Sequence, residues 1–268
     1  MSVVGDAQRE DVALGFSRPI VDHSLSVLTL DIETSPNLGY AFGVWDQNLT
    51  PDKIVDRSRV LVVGAKWYGR APVIVLSERK TSHEDMVQRA WALVDQADII
   101  VHYNGKKFDM RHLRREWLEA GLPPPAPYKQ IDLLPVVKRQ FAYGSNKLDN
   151  ISQVLGVGAK IKHEGFELWK LCLAGDPSAF RRMERYCAGD VRLTERLYDR
   201  LRPWISGHPH ITTADELRCT QCGSQRLEQM PRDYRAVVIA YAAYRCSDCG
   251  GMVRASYPKR VALSRAIP

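Results

Sequence analysis

The chain has 268 residues, 45% of them apolar and 26% charged, a globular mix that excludes global disorder and low-complexity tracts. No run of about 18 apolar residues occurs, so a membrane-spanning helix is excluded. The net charge is +7, and residues 217–268 hold nine basic against three acidic side chains, a local excess that points to a polyanionic partner.

Residues 1–24 show no clear period and read as an N-terminal extension. Its first residues lack a basic stretch leading into an apolar core, so no secretory leader is expected. The expectation is a cytoplasmic protein, and the excess of Arg over Lys suggests a bacterial or phage genome. Residues 26–33 form the first strong strand. Leu28, Leu30 and Ile32 alternate with Thr29, Asp31 and Glu33, so the two acids emerge on one face at the strand's C-terminal end. Residues 34–57, with Pro36, Gly39, Gly43 and Pro51, read as irregular. Strands are expected at 60–67 and 72–76, joined through Gly69.

Thr81 and Glu84 form a capping box for a helix in which Met86, Val87, Ala90, Trp91 and Val94 recur at helical spacing. A short strand at 98–102 and a helix at 108–120 follow, the helix stopped by Gly121 and Pro123. A strand at 131–134 and short helices at 147–155 and 166–173 come next. Asp176-Pro177 then opens a long helix, with Asp as cap and Pro at the first helical position. Phe180, Met183, Cys187, Val191, Thr194, Leu197 and Leu201 make its inner stripe, and Pro203, Gly207 and Pro209 end it. Strands first, then strands alternating with helices, predict a mixed α/β sheet.

Three local patterns carry chemistry. The first is Asp31-Ile32-Glu33-Thr34 at the strand end. The second is Asn104-Gly105-Lys106-Lys107-Phe108-Asp109, directly after a short strand. The third is Tyr186-Cys187-Ala188-Gly189-Asp190, whose i, i+4 spacing puts Tyr186 and Asp190 on one helical face. In this order they resemble the three motifs of the DEDD superfamily, and Tyr186 makes the chain similar to the DEDDy branch of DnaQ-like 3′–5′ exonucleases. The stretch Ser145-Asn146-Lys147-Leu148-Asp149-Asn150-Ile151, running on to Leu155-Gly156, is similar to the same region of family B DNA polymerase exonuclease domains. The resemblance covers residues 25–202 and implies an RNase H-like fold, a mixed five-stranded sheet flanked by helices. No polymerase domain follows, so a freestanding unit is expected.

The resemblance also implies roles. Cleaving a phosphodiester requires an activated water and stabilisation of charge on two in-line oxygens, which two divalent ions about 4 Å apart supply. Oxygen ligands suit Mg²⁺ or Mn²⁺. Asp31 would bridge both ions, Glu33 and Asp190 would complete the one that activates water, and Asp109 would serve the other. Tyr186 would orient the attacking water. Thr34, Asn104, Lys106, Lys107, Phe108 and Lys147 are candidate substrate-binding residues. Lys106, Lys107, Arg111, Arg114 and Arg115 either hold phosphates or form a solvated basic face. Phe42, Trp45 and Tyr143 are candidate base-stacking residues, with packing in the core as the competing role. In another branch a His stands five residues before the last Asp. That position is Arg185 here, so no catalytic His is assigned, and His102 is read as packed or hydrogen-bonded.

Cys219-x-x-Cys222 and Cys246-x-x-Cys249 read as a zinc site rather than a disulfide framework. The arrangement looks like a zinc ribbon, β-rich, with Gly223 and Gly250 at the turns and strands at 235–244 and 252–257. Four thiolates leave no open position, so the Zn²⁺ would be structural. Cys172 and Cys187 read as core thiols. The ribbon's Arg218, Arg226, Arg232, Arg235, Arg245, Arg254, Lys259 and Arg260 would bind a nucleic-acid backbone; contact with replication proteins is the competing role.

The expected organisation is an extension at 1–24, an exonuclease domain at 25–205, a linker at 206–216 and the ribbon at 217–268. The expected activity is metal-dependent removal of nucleotides from single-stranded 3′ ends or the 3′ ends of duplex DNA, DNA preferred. The alternatives are an exoribonuclease and a catalytically silent nucleic-acid-binding adaptor.

Overall fold

A computed structural model describes residues 25–211, 216–236 and 239–261. The N-terminal extension expected at 1–24 lies outside the described residues. So do part of the expected linker, at 212–215, and part of the first expected ribbon strand, at 237–238. No helix among the described residues is long and apolar enough to cross a membrane.

The chain begins with β1 (Val27–Thr34) and a small antiparallel pair, β2 (Leu38–Gly39) and β3 (Ile54–Asp56), inside the stretch expected to be irregular. β4 (Val60–Trp67) and β5 (Ile74–Ser77) lead to α1 (His83–Asp95). β6 (Ile99–His102), α2 (Asp109–Glu119), β7 (Lys129–Asp132), α3 (Leu133–Gln140), α4 (Leu148–Val154), α5 (Phe166–Leu173) and α6 (Pro177–Leu201) complete the large domain. The sheet order is β5-β4-β1-β6-β7. β4 runs antiparallel to the central β1, and β6 and β7 run parallel to it. This is an RNase H-like mixed five-stranded sheet.

Alternation along β1 decides what each face meets. Leu28, Leu30 and Ile32 pack with Met86, Leu93, Met110, Leu113 and Trp117 of α1 and α2. The opposite face lies under α6, whose Met183, Cys187, Val191, Leu197 and Leu201 are buried as the stripe requires. Asp176 caps α6 by accepting from Ser178 N at 2.7 Å.

Three local expectations are corrected. Ser82, not Thr81, caps α1, accepting from Asp85 N at 3.2 Å, because Ser82 is the residue with extended backbone before the first turn. The strand expected at 131–134 is β7, two residues earlier, and it turns straight into α3. Asp132 ends the strand and caps the helix through Leu134 N at 3.1 Å, so no loop separates them. The expected ribbon strand at 235–244 is divided among β9 (Tyr234–Arg235), β10 (Ile239–Tyr241) and β11 (Ala243–Cys246). The last of these pairs with β8 (Leu227–Gln229) and β12 (Met252–Arg254); β13 (Arg260–Val261) pairs with β10.

Two matching turns carry the four cysteines. Gly223 N donates to Cys219 O at 2.8 Å and Gly250 N to Cys246 O at 2.9 Å, both glycines at φ near +76° (77° and 75°). The four sulfurs lie within 4.8 Å of one another, with Cys219–Cys249 and Cys222–Cys246 at 3.6 Å. A Zn–S bond of about 2.3 Å sets tetrahedral sulfurs about 3.8 Å apart, so the cluster fits Zn²⁺ and is too wide for disulfides.

Gly64 of β4 stands opposite Asp31, where a Cβ would come 2.8 Å from Cys187 Sγ and 2.9 Å from Val191 Cγ2. We predict that Gly64→Ala costs about 1–3 kcal/mol in denaturant unfolding, since sheet and helix must part to admit the methyl. His83 links Glu78 (2.8 Å) and Glu116 (2.9 Å), and these two hydrogen bonds, Glu116 first, raise its pKa to about 9. Its contribution to stability is complete below about pH 6.5, the unfolded value, and is lost as pH rises through 9. His83→Gln should flatten the fall in melting temperature between pH 7 and 9 relative to wild type. Purified protein should contain one zinc per chain by elemental analysis, and Cys246→Ser should lose it.

Candidate active site

The candidate site is assembled by β1, α6, the turn before α2 and the loop before α5. β1 delivers Asp31 and Glu33 to the α6 side. On α6, Tyr186 and Asp190 lie one turn apart and face the strand, and Cys187 Sγ donates to Asp31 O at 3.6 Å. The close approach rests on Gly64.

Asp109 arrives through a tight turn. Asn104 takes a left-handed backbone (φ 66°), a conformation Asn tolerates better than most residues. Gly105 is required beside it, because a Cβ there would meet the His102 ring at 2.7 Å. The Asp132 carboxylate accepts from Asn104 N at 2.7 Å and Lys106 N at 3.3 Å, fixing the turn from below. Asp109 Oδ1 then accepts from Ile32 N at 3.0 Å, which ties the first turn of α2 to β1 between the two acids.

Burial and like charge dominate the electrostatics. Glu33, Asp109 and Asp190 are 8%, 4% and 2% exposed, so water does little to screen them. Burial, then the charges of Asp109, Glu33 and Asp190, push the Asp31 carboxyl well above the usual range. Burial and then Asp190 raise Glu33 to about 8. Burial raises Asp109 to about 7 despite its backbone hydrogen bonds. Burial also raises Asp190, against the pull of Lys160. Lys160 Nζ sits 2.7 Å from Asp190 Oδ2 and donates to Tyr186 Oη at 2.7 Å. Burial opposes the charge on Lys160, but Asp190 outweighs it and its pKa rises. Tyr186 goes up to about 12, chiefly by burial.

Asp190 Oδ1 is buried with no hydrogen-bond partner. An orphaned carboxylate oxygen among mutually repelling acids is the donor set a hard divalent cation needs. Asp31, Glu33, Asp109 and Asp190 therefore fit Mg²⁺ or Mn²⁺. The Cys187 thiol lies within 4.8 Å of the Asp31 and Glu33 ligand atoms, but burial holds its pKa far up, so it stays a protonated core thiol.

Of the other residues picked out from sequence, Asn104, Lys106, Lys107 and Phe108 form the turn that leads into Asp109 and are exposed. Phe108 packs on the His112 ring, centroids 4.6 Å apart. Thr34 O accepts from Trp169 Nε1 at 3.0 Å. Lys147 is exposed at the start of α4, and no hydrogen bond or ion pair among the described residues joins it to the carboxylates. Arg114 donates to Tyr128 Oη and Arg115 to Ser58 O, whereas Arg111 is exposed. Phe42 and Trp45 are exposed beyond β2, while Tyr143, half-buried, packs on Phe141 against the core. His102 is buried beside Gln130 and Asp132. Lys160 was missed from the sequence. The one available signal was a lysine in a loop bounded by Gly156, Gly158 and Gly165, all at positive φ.

Comparison with known proteins agrees with the fold. No curated protein matches the chain. A family B DNA polymerase from the hyperthermophilic archaeon Pyrobaculum calidifontis is similar in structure, with a TM-score of 0.52 and 21% identity. The match covers 67% of this chain and 25% of the polymerase chain, and at that identity it speaks to fold alone. The RNase_H_2 family model, of the RNase_H superfamily, matches residues 28–202. The sheet order, the carboxylates at the end of its central strand and this match together mean that the chain belongs to the RNase H superfamily, whose fold is of the nuclease type.

Proposed function

We propose that the protein is a 3′–5′ exonuclease that hydrolyses the terminal phosphodiester of a single-stranded 3′ end, with DNA the preferred strand. The observation that carries this reading is Asp31 beside the buried carboxylates Glu33, Asp109 and Asp190, with Tyr186 one turn from Asp190 and its hydroxyl held by Lys160. Two Mg²⁺ or Mn²⁺ held by the four carboxylates would supply Lewis-acid stabilisation and a water of lowered pKa.

The chain's own groups do the rest. With its pKa near 12, the Tyr186 hydroxyl keeps its proton at neutral pH and acts as a hydrogen-bond donor, not a base. Lys160 donates to the oxygen of that hydroxyl, a bond that does not use the Tyr186 proton, and the O–H is the donor assigned to an attacking water. Asp109, fixed to Ile32 N, keeps one oxygen on the backbone and the other for a ligand. Lys106 and Lys107, both exposed, are the cations we assign to strand phosphates, and exposed Phe108 the ring we assign to the terminal base. Phe42 and Trp45, exposed beyond β2, offer further aromatic surface to unpaired bases.

The test is degradation of 5′-labelled single-stranded DNA and RNA of matched sequence with Mg²⁺ or Mn²⁺. The expected result is a ladder shortening from the 3′ end, faster on DNA and abolished by Asp31→Ala. Tyr186→Phe should keep KM within a few-fold and lower kcat by about 10²-fold, the scale of one lost transition-state donor. Internal cuts, or equal cleavage by Asp31→Ala, would overturn the proposal; faster RNA cleavage would leave the chemistry and reverse the substrate.

A further inference from the structure

We propose that the outer face of the zinc ribbon is a second binding site for single-stranded nucleic acid, separate from the carboxylates. This deepens the nuclease reading, and its test does not depend on cleavage.

Register assigns the two faces of the β8-β11-β12 sheet. Tyr244 pairs with Val253, and both pack towards the cysteines together with Cys246. Side chains alternate, so Arg245 and its partner Met252, and Arg254 opposite Ala243, lie on the other face. There the Arg254 guanidinium sits 3.9 Å from the Tyr241 ring centroid. Tyr234, paired with Tyr241 across β9 and β10, is 5.9 Å from the same guanidinium and 52% exposed. The face thus carries a row of Arg245, Arg254, Tyr241 and Tyr234.

Charge selects the occupant. Asp248 pairs with Arg226 and Asp233 with Lys259. Arg232, Arg235, Arg245 and Arg254 are exposed and have no carboxylate within salt-bridge distance among the described residues. Glu228, opposite Arg245, is the one acid that register places on this face. A partner protein would have to be acidic and present groups that fit between stacked rings. A single strand offers both a phosphate at every step and a flat base for each ring, which is the combination basic–aromatic surfaces bind. Stacking on Tyr241 also holds Arg254 in one orientation, so less freedom is lost on meeting a phosphate.

The site lies away from the carboxylates. Ile211 N donates to Thr220 O in the first cysteine turn, and Leu25 N donates to Ile211 O, so the ribbon joins the large domain near the start of β1. Asp31 is six residues further on, about 20 Å of extended strand.

The experiment uses the full zinc-loaded chain carrying Asp31→Asn, so that the strand is not cut, with fluorescein-labelled dT30 followed by anisotropy from 50 to 300 mM salt. Arg245→Ala with Arg254→Ala should weaken binding by 10-fold or more and flatten the slope of log K against log salt by about 1.4, since each phosphate contact on a single strand contributes about 0.7. Tyr234→Ala should weaken binding several-fold and leave the slope unchanged. Zinc content checks folding; if the double variant loses zinc, Arg245→Glu takes its place, with the same direction expected. Unchanged affinity and slope in zinc-replete variants would overturn the proposal, even if the wild-type chain cuts DNA. Binding of dT30 by a wild-type chain that cuts nothing would support this site and sink the nuclease reading instead.

Discussion

Four carboxylates gather around the C-terminal end of β1, three of them buried, and the half-buried Lys160 pairs with Asp190 beside them. Burying a charge without a partner costs several kcal/mol, and four like charges add repulsion to that cost. The fold therefore has to enforce the arrangement. Asp109 is tied to the β1 backbone, and Gly64 lets α6 settle against the strand. Gly189, on the other side of α6, leaves room for the Ile161 side chain, whose Cδ1 lies 2.8 Å from where a Cβ would stand. The raised carboxyls of Asp31, Glu33 and Asp109 are the remaining tension, which divalent cations would relieve.

Periodicity made most of the large domain legible. The alternation of 26–33 located the central strand and put Asp31 and Glu33 on one side. Strand 60–67 and helix 166–173 fall where they were expected, and the stripe from Phe180 to Leu201 is buried. The helix spacing of Tyr186 and Asp190 was enough to place them on one face. α3 was not legible, because its cap, Asp132, is also the last residue of a strand, and Pro135 in its first turn looks like a breaker. The cap of α1 was misplaced by one residue because adjacent hydroxyls, Thr81 and Ser82, satisfy similar patterns and only backbone geometry separates them.

Lys160 was hidden for a different reason. It sits in an irregular loop, where no period marks the direction of a side chain, and it is recognisable only by what it touches: Asp190 and the Tyr186 hydroxyl. The same holds for the aromatic residues. Composition could not say that Phe42 and Trp45 are exposed while Tyr143 is packed. The ribbon was legible from cysteine spacing, but its attachment was not. Tyr198 of α6 and His208, 2.7 Å apart, and the main-chain bridge through Ile211 run along residues that read as linker. A metal held by the four cysteines would thus also anchor a segment bonded to the entry of β1.

The central claim is that the four clustered carboxylates are a divalent-cation site. Calorimetric titration of Mn²⁺ into the zinc-loaded protein at pH 7.5, beside Asp31→Asn, tests it most directly. The account predicts saturable binding in the wild-type chain, approaching two ions per chain and accompanied by proton release, and much weaker binding in the variant. Equal binding by both, or none by the wild type, would contradict it.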